Sequence, residues 1–283
     1  MEYAVSPSKG AMVGGAVRIK AVAGFALVHL AALAGVLLVP FSWKAVALCV
    51  GSYYLRMFGV TAGLHRYFSH RTYRLHRGWQ FAMALLAQTS AQKGVLWWAS
   101  HHRQHHRQSD KPSDIHSPLQ RGFWWSHIGW ILSEKHTDTD YDAIADFSKY
   151  PELLWLNRHN SIPAVAYAAL LTALFGWQGL VYGFLLSTVL LWHGTFMINS
   201  LMHLIGRRVY ETHDDSRNSF LLALLTMGEG WHNNHHFFPG TAAQGFRWWE
   251  IDPTYYLLRV LEQMGVVREL RHRPAAGRLL RRA

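Results

Sequence analysis

The residues best suited to chemistry are histidines gathered in three short boxes. In the second box His102, His105 and His106 stand at i, i+3 and i+4, so on a helix their rings project from one face. The first box spans 65–70 with a histidine at each end, and the third, 229–236, repeats the i, i+3, i+4 spacing. The boxes hold eight histidines at ligand spacing. Because one metal takes about four to six ligands, this number predicts two metals sharing one site.

The kind of ligand limits the chemistry of this site. Imidazole-only sites suit iron, zinc or copper. Hydrolytic zinc sites usually add a carboxylate base, whereas neutral histidines tolerate changes of metal charge, so we interpret the boxes as a redox site. Cys49 is the single cysteine, which excludes a cysteine-ligated iron–sulfur cluster.

Composition indicates a membrane protein. Half of the 283 residues are hydrophobic and only 16% are charged, against about 25% in soluble proteins. The formal net charge of +11 invites comparison with nucleic-acid-binding proteins. No recognisable nucleic-acid-binding module accompanies the basic residues, so we expect membrane lipid as a partner and no nucleic acid.

Four apolar stretches predict transmembrane helices, because each has about the length that crosses the hydrocarbon core. These spans are 21–40, 45–63, 161–177 and 180–204. Arg56 interrupts the second stretch and should face the bundle interior or reach the interface. Residues 79–98 are also apolar, but a crossing there would place the first two boxes on opposite faces. We therefore expect 79–98 to form a buried or interfacial helix that does not cross.

This layout divides the chain into three parts. Residues 1–20 form a cytoplasmic arm, 21–265 the main domain with a cap at 64–160 and 205–265, and 266–283 a basic C-terminal tail. Of all Lys and Arg residues, only Lys44 falls in a loop on the far side. We predict an all-α, multi-pass membrane protein with four transmembrane helices and a cytoplasmic helical cap. Both termini and the active site would be cytoplasmic.

The boxes resemble those of a known family. Asn199 and His203 lie at i and i+4 near the cytoplasmic end of the last span, and we group them with the boxes. Taken alone, such a pair would indicate an interhelical hydrogen bond. The stretches His65–His70, His102–His106, Asn199–His203 and Glu229–His236 resemble the boxes of the membrane fatty acyl desaturases of the stearoyl-CoA (Δ9) group. The likeness runs from about residue 45 to 265 and includes 59–63 and 123–130.

The resemblance implies a histidine-ligated di-iron centre in residues 21–265. Its ligands would be His65, His70, His102, His105, His106, His203, His232, His235 and His236. Asn199 would hold a metal-bound water, and Gln92, Trp98 and Thr195 match positions that line the bent tunnel gripping the acyl chain. In that family reduced iron activates O2 and removes two hydrogens from adjacent methylenes, which leaves a cis double bond and water.

We therefore expect a bacterial-type enzyme of the inner membrane, without a fused cytochrome b5 domain, that introduces a Δ9 double bond. The chain has no dinucleotide-binding glycine fingerprint, so a separate donor should supply two electrons. A ferredoxin or a cytochrome b5-like protein with its reductase fits this role. Alternatives are a related alkyl-chain hydroxylase or olefin-forming decarboxylase, and a haem-binding electron carrier using His29 and His193. A metal-ion transporter is disfavoured, because the histidines cluster in the cap.

The acyl carrier has two interpretations. In animal acyl-CoA desaturases an Arg-Asp pair before the second box contributes to holding CoA, and Ser100 and His101 stand there in this chain. Arginine binds phosphate bidentately, so its loss matters. Cations that could replace it are Arg103, Arg107, Lys111 and Arg121. The alternative carrier is a membrane phospholipid or acyl carrier protein. We expect acyl-CoA with rearranged headgroup contacts.

Overall fold

A computed structural model describes residues 18–274, and nearly all regular structure in that range is helical. The α-helices are α1 Ile19–Leu38, α2 Trp43–Phe58, α3 Arg77–Gln88, α4 Val95–Gln108, α5 Pro118–Arg121, α6 Trp130–Leu132, α7 Ala145–Ser148, α8 Pro151–Arg158, α9 Ile162–Gln178, α10 Ser187–Ser200, α11 Phe220–Leu225, α12 His232–Phe237 and α13 Pro253–Gln263. Wider π-type segments span Gly59–Ser69, Trp125–Gly129 and Gly179–Leu186, and 3-10 turns span Glu134–His136 and Leu201–His203. Two short strands, β1 Arg74–Leu75 and β2 Val267–Arg268, pair antiparallel. The described chain is therefore mostly helical and not all-α as predicted.

Within residues 18–274, three helical segments are long and apolar enough to cross a membrane. They are Ile19–Leu38, Trp43–Ser69 and Ile162–His203. The third is bent back on itself, because Gly176 has a non-helical backbone with φ 59° and ψ −146°. A Cβ atom added at Gly179 would touch the carbonyl oxygen of Leu171. In a straight helix these two residues, eight positions apart in sequence, would be separated by about 12 Å. The chain thus reverses between the third and fourth predicted spans.

The helix that carries the first box extends beyond its predicted end near residue 63. α2 continues without a break into the wide segment Gly59–Ser69, all of whose residues are buried. Gly59 lets this segment touch α3, because a Cβ there would lie 3.0 Å from the Ala87 backbone. Such wide turns often mark functional sites. Here the segment holds His65 inside the protein.

The predicted helix over 79–98 is two helices, α3 and α4. Between them Ala91 and Lys93 have left-handed backbones, with φ of 55° and 64°, and these end the helical path. α4 then restarts after Gly94, where a Cβ would collide with the Asn157 side chain at 2.0 Å. With 12 and 14 residues, α3 and α4 are about 18 and 21 Å long, too short to cross a 30 Å core.

Arg56 is fully buried and faces the bundle interior, which is one of the two positions predicted for it. A guanidinium has five N–H donors, and all five find acceptors here. The acceptors are the Ser52, Thr89 and Phe184 carbonyls and the Ser187 and Thr188 hydroxyls. Arg56 therefore ties α2 to the segment between α3 and α4 and to the hairpin that ends in α10.

A chain of three histidines joins α1 to α10 and to the segment Trp125–Gly129. His29 donates from Nδ1 to the Phe25 carbonyl at 2.7 Å, so its Nε2 accepts from His193 Nε2 at 3.1 Å. His127 Nε2 then donates to His193 Nδ1 at 2.9 Å. Axial ligands of a haem would stand about 4 Å apart with the porphyrin between them. Here His193 and His29 bond directly to each other, which indicates a structural role for this pair.

The described end of the chain packs against the cap. Val267 and Leu270 are buried, and the Ala242 amide donates to the Arg271 carbonyl at 2.8 Å. The contacts thus continue past the predicted boundary at residue 265. Most of the predicted N-terminal arm (1–17) and the last part of the predicted basic tail (275–283) lie outside the described residues.

Candidate metal centre

The nine histidines proposed as ligands gather in two adjoining clusters. The five-histidine cluster contains His65, His70, His102, His106 and His235. The four-histidine cluster contains His105, His203, His232 and His236. Within each cluster one ring nitrogen of every member lies within 4.8 Å of the others, so each cluster could hold one metal ion.

Two short helices build both clusters at once. On α4, His102 and His106 stand at i and i+4 and enter the five-histidine cluster, while His105 enters the other. On α12, His235 enters the five-histidine cluster, and His232 and His236 enter the other. The wide segment after α2 adds His65, with His70 following it, and the 3-10 turn after α10 adds His203. The i, i+3, i+4 spacing thus bridges the two neighbouring clusters.

The distances between ring nitrogens match those expected around a metal. Two nitrogens bound at about 2.1 Å and at right angles lie about 3.0 Å apart. The observed Nε2–Nε2 distances are 3.0 Å for His65–His235, 2.9 Å for His70–His102, 3.0 Å for His106–His235 and 3.1 Å for His203–His232. Within the described residues the buried Nε2 of His236 has no hydrogen-bond partner. The residues present therefore fit a pair of histidine-bound iron ions.

Four carboxylates orient the imidazoles from outside the clusters. The pairs are His65–Glu229 at 2.5 Å, His105–Asp114 at 3.1 Å, His203–Asp110 at 2.7 Å and His236–Asp214 at 2.5 Å, each through Nδ1. A histidine that donates from Nδ1 keeps the lone pair of Nε2 for a metal, and such partners raise its basicity. None of these acids was predicted from the sequence to have a role. Their position next to the boxes was a signal for Asp110, Asp114 and Glu229, and nothing pointed to Asp214.

A buried ionic network supports Glu229. Arg66 donates from Nη2 to Glu229 at 3.2 Å and from Nη1 to Asp252 at 3.0 Å, and Gln244 donates to Glu229 at 2.9 Å. Burial alone raises the pKa of Glu229, but His65 and Arg66 outweigh it, and the net pKa lies below its ordinary value. Glu229 therefore stays ionised and holds the Nδ1 proton of His65.

The protonation state of the clusters suits metal binding. Burial, together with the neighbouring imidazoles and other cations, lowers the pKa of His70, His102, His106, His232 and His235 well below the ordinary value. These rings are therefore neutral near pH 7. Neutral imidazole is the form that ligates a metal, so no proton has to be displaced.

A third group of possible ligands, His105, Asp114 and His116, adjoins the four-histidine cluster. His116 is buried, and its ring stacks on His105 with centroids 4.2 Å apart. Asp114 bonds to the Nδ1 of His105, whose other nitrogen faces the four-histidine cluster. This group therefore supports the main centre from outside. His116 was not predicted from the sequence as a site residue.

A cavity of about 500 Å³ leads to the clusters and brings together the predicted substrate residues. Gln92, Trp98 and Thr195 line it, with Asn199 and His102. Gln92 donates to the Thr195 hydroxyl at 3.0 Å, and Trp98 stacks on His102 with centroids 4.9 Å apart. Asn199 also lines a smaller cavity with members of the four-histidine cluster. An acyl chain in the larger cavity would lie beside the metal ligands.

Two lysines line the same cavity. Lys20 is exposed, and Lys93 donates to the His136 carbonyl at 3.2 Å with its ammonium 3.8 Å over the Trp97 ring. Burial and the charge of Arg18 lower the pKa of Lys93 to about 8. These are the cations placed to meet a charged headgroup.

The four cations considered for CoA do not line this cavity within residues 18–274. Arg103 forms a bidentate ion pair with Asp146 at 2.8 and 3.0 Å. Arg121 lies over the Trp125 ring at 4.9 Å. The other two, Arg107 and Lys111, line a separate surface basin of about 840 Å³.

Comparison with known proteins gives the same assignment as the site. The sequence model of the fatty acid desaturase family matches residues 41–269. An sn-2 palmitoyl-lipid 9-desaturase of Nostoc sp. is 36% identical over 242 residues, covering 84% of this chain and 85% of that protein. An sn-1 stearoyl-lipid 9-desaturase of Synechocystis sp. is 35% identical over 252 residues, covering 88% and 79%.

A plant relative widens the range of substrates in the family. An acyl-CoA C20 Δ5-desaturase of Anemone leveillei is 35% identical over 235 residues, covering 82% of this chain and 75% of that protein. The names of these relatives thus include both lipid-linked and CoA-linked substrates and two double-bond positions. The predicted resemblance is confirmed: this chain belongs to the fatty acid desaturase family, a family of oxidoreductases that act on fatty acyl chains.

Proposed function

We propose that the protein introduces a cis double bond at the Δ9 position of a saturated acyl chain carried by a membrane lipid. The observation that carries the proposal is the cavity lined by Gln92, Trp98 and Thr195, which reaches His102 of the five-histidine cluster. The 9-desaturase names of two similar relatives support the position of the double bond.

The reaction needs groups that this chain holds in place and others that it takes up. When bound, two irons would supply the activation of O2 and the removal of one hydrogen from each of two adjacent methylenes. One O2, two electrons and two protons are consumed, and two waters form with each double bond. The nine histidines would hold the irons, and Asn199, which lines both cavities, would complete the set through a water.

Side chains around the cavity would select the reacting carbons. The Gln92–Thr195 hydrogen bond links the segment before α4 to α10 across the cavity wall, so it limits the path of the acyl chain. Trp98 stacks on the ligand His102 and excludes water from that side. Together these contacts would hold two methylenes in register with the metals.

For the carrier of the acyl chain we propose a membrane lipid in place of the CoA expected from the sequence. From sequence we expected acyl-CoA, with Arg103, Arg107, Lys111 or Arg121 meeting its phosphates. None of the four lines the cavity within the described residues, whereas α1, a candidate span, contributes Lys20 and Phe25. A cavity walled by α1 suits a lipid that enters sideways from the bilayer. Lys20 and Lys93 would then meet its headgroup, and acyl-CoA stays as the alternative.

The membrane layout belongs to the same proposal. We place four spans in a bacterial inner membrane, with the third and fourth formed by the hairpin that turns at Gly176. The histidine clusters, the cap and both termini then lie on the cytoplasmic side. The distribution of Lys and Arg supports this orientation.

The electrons would enter through the basin that contains Arg107 and Lys111. His106 and His236 also line it, one from each cluster, and their rings stack with centroids 4.4 Å apart. A ferredoxin or cytochrome b5-like protein docked there would deliver electrons close to both metals. Because Arg107 and Lys111 are exposed, the docking rate should fall as salt rises. Turnover by the purified protein with NADPH alone would contradict a separate donor.

The test is expression in a desaturase-deficient bacterial host, followed by mass spectrometry of its lipids. Wild-type protein should yield Δ9 cis-unsaturated chains, and the matched His235→Ala variant should yield none. A hydroxylated chain or a terminal alkene would instead favour the hydroxylase or decarboxylase alternatives. Pulse labelling decides the carrier: unsaturation should appear first in glycerolipid, and its first appearance in the CoA pool would contradict the lipid carrier.

A further inference from the structure

Helix α13 has two apolar faces, and residues 18–274 cover only one of them. Tyr255 and Leu258 are buried on the inner face, 4% and 0% exposed. The outer face carries Tyr256, Leu257, Val260 and, just past the helix end, Met264, which are 40% to 69% exposed. At 100° per residue these four positions fall within about a 100° arc opposite the buried ones. A second apolar stripe of this kind indicates a partner surface.

The outer face of α13 belongs to a larger surface, which we call the apolar collar. The collar consists of α11, residues 248–251 and the outer face of α13. Trp248 is 83% exposed and Leu221 on α11 is 65% exposed. Trp231 connects the parts, because its ring lies 6.2 Å from that of Phe220 and its indole N–H donates to the Ile251 carbonyl at 2.8 Å.

The collar is attached to α2 where that helix leaves the bundle. The Tyr53 hydroxyl donates to the Leu225 carbonyl at the end of α11 at 2.7 Å. Just beyond, the hydroxyls of Thr61 and Thr254 lie 2.7 Å apart and hold the start of α13. On α2 itself Val50 and Leu55 are exposed, so the collar continues the outward apolar surface of a candidate span.

The chemistry of the collar matches the interfacial region of a bilayer. Tryptophan and tyrosine prefer that depth, where the ring meets hydrocarbon and the polar atom meets water. Arg259 is exposed on α13, and the guanidinium of Arg247 lies 5.2 Å from the Trp249 ring. Arginines beside an in-plane apolar helix attract anionic headgroups. Glu262, the acidic residue of α13, lies 3.5 Å from the His272 imidazole.

We propose that the apolar collar lies in the cytoplasmic leaflet, with α11 and α13 in the membrane plane and Arg247 and Arg259 at anionic headgroups. The proposal rests on the membrane layout of the proposed function and not on the reaction. Thr61 and Trp231 each lie close to a histidine box, so the leaflet would fix the height of the metal clusters above the lipid tails. A partner protein or a second copy of this chain would be a different occupant.

Site-directed spin labelling tests the collar, because the chain has one native cysteine. In a Cys49→Ser background, single cysteines replace Val260, Met264 or, as the control on the exposed cap, Lys111. The labelled full-length proteins are placed in nanodiscs of three parts phosphatidylcholine to one part phosphatidylglycerol. Collision rates with O2, which partitions into lipid, and with a water-soluble nickel chelate then report depth.

We expect labels at 260 and 264 to collide more with O2 than with the nickel chelate, and the label at 111 to show the reverse. Labels at 260 and 264 that match the one at 111 would overturn the proposal. Dipolar broadening between labels would also overturn it, since a second copy would then cover the collar. Desaturation by the proteins labelled at 260 and 264 is measured separately, so a failed collar and a failed enzymatic assignment give different results.

Discussion

Replacing Asp214 by Asn should disable one metal position by reversing a hydrogen bond. Asp214 accepts from His236 Nδ1 on one oxygen at 2.5 Å, and from the Ser216 amide and hydroxyl on the other at 3.1 and 2.6 Å. The Ser216 amide can only donate, so the new carbonyl must face it and the new NH2 must face His236. Nδ1 of His236 then becomes an acceptor and the ring proton moves to Nε2, which can no longer bind a metal.

The size of this effect follows from the position of Asp214 behind the ligand. Substitutions of residues that hydrogen-bond a ligand typically weaken metal binding 10- to 100-fold, and a reversed tautomer should fall near 100-fold, about 2.7 kcal/mol. Burial alone raises the pKa of Asp214, but the His236 imidazole outweighs it, so the wild-type side chain is ionised near pH 7. Loss of the Asp214 charge next to His236 should also weaken metal binding.

Iron titration of the metal-free protein measures the change. In Asp214→Asn the weaker of two binding steps should shift about 100-fold, and iron retained after gel filtration should fall from about two per chain towards one. The matched control is Asp215→Asn, because Asp215 is 41% exposed and forms a surface ion pair with Arg208 at 3.4 Å. It should bind iron as the wild type does. Unchanged affinity and stoichiometry in Asp214→Asn would refute the assignment of His236 as a ligand.

Three further outcomes are expected. Arg56→Lys keeps the charge but loses at least two of five buried hydrogen bonds, so the free energy of unfolding should fall by about 2–3 kcal/mol in thermal unfolding. An unchanged unfolding midpoint would contradict the bridging role of Arg56. Thr195→Val removes the Gln92 bond at nearly constant volume, so the product should include shifted double bonds in a mass-spectrometric assay, whereas wild-type regiochemistry would show that the bond does not guide the chain. The cluster histidines whose pKa is lowered, such as His102, bind protons near pH 6 only in the unfolded chain, so the metal-free protein should lose stability as the pH falls below about 6.5. An unfolding midpoint that stays constant from pH 7.5 to 5.5 would contradict this.

Local patterns in the sequence predicted much of the site. The spacing of His102, His105 and His106 predicted one helical face, and α4 presents them so. Which ring joins which cluster is not local, since it depends on where α12 and His203 meet α4. The split into five and four therefore needed the structure.

The parts that escaped prediction depend on contacts distant in sequence. Asp214 supports His236 from a segment without regular structure, and no spacing rule connects them. The break between α3 and α4 comes from left-handed Ala91 and Lys93, residue types that carry no turn signal. The apolar surroundings of Arg56 left two positions open, the bundle interior and the interface. Three of the acceptors that hold it inside come from a hairpin more than a hundred residues away.

The central claim is that two iron ions lie in this chain, one in each histidine cluster. The most direct measurement is anomalous diffraction from the active, iron-loaded protein, collected above and below the iron absorption edge. We expect two anomalous peaks, one among His65, His70, His102, His106 and His235 and one among His105, His203, His232 and His236. A single peak, or peaks that appear at the zinc edge and not at the iron edge, would contradict the account.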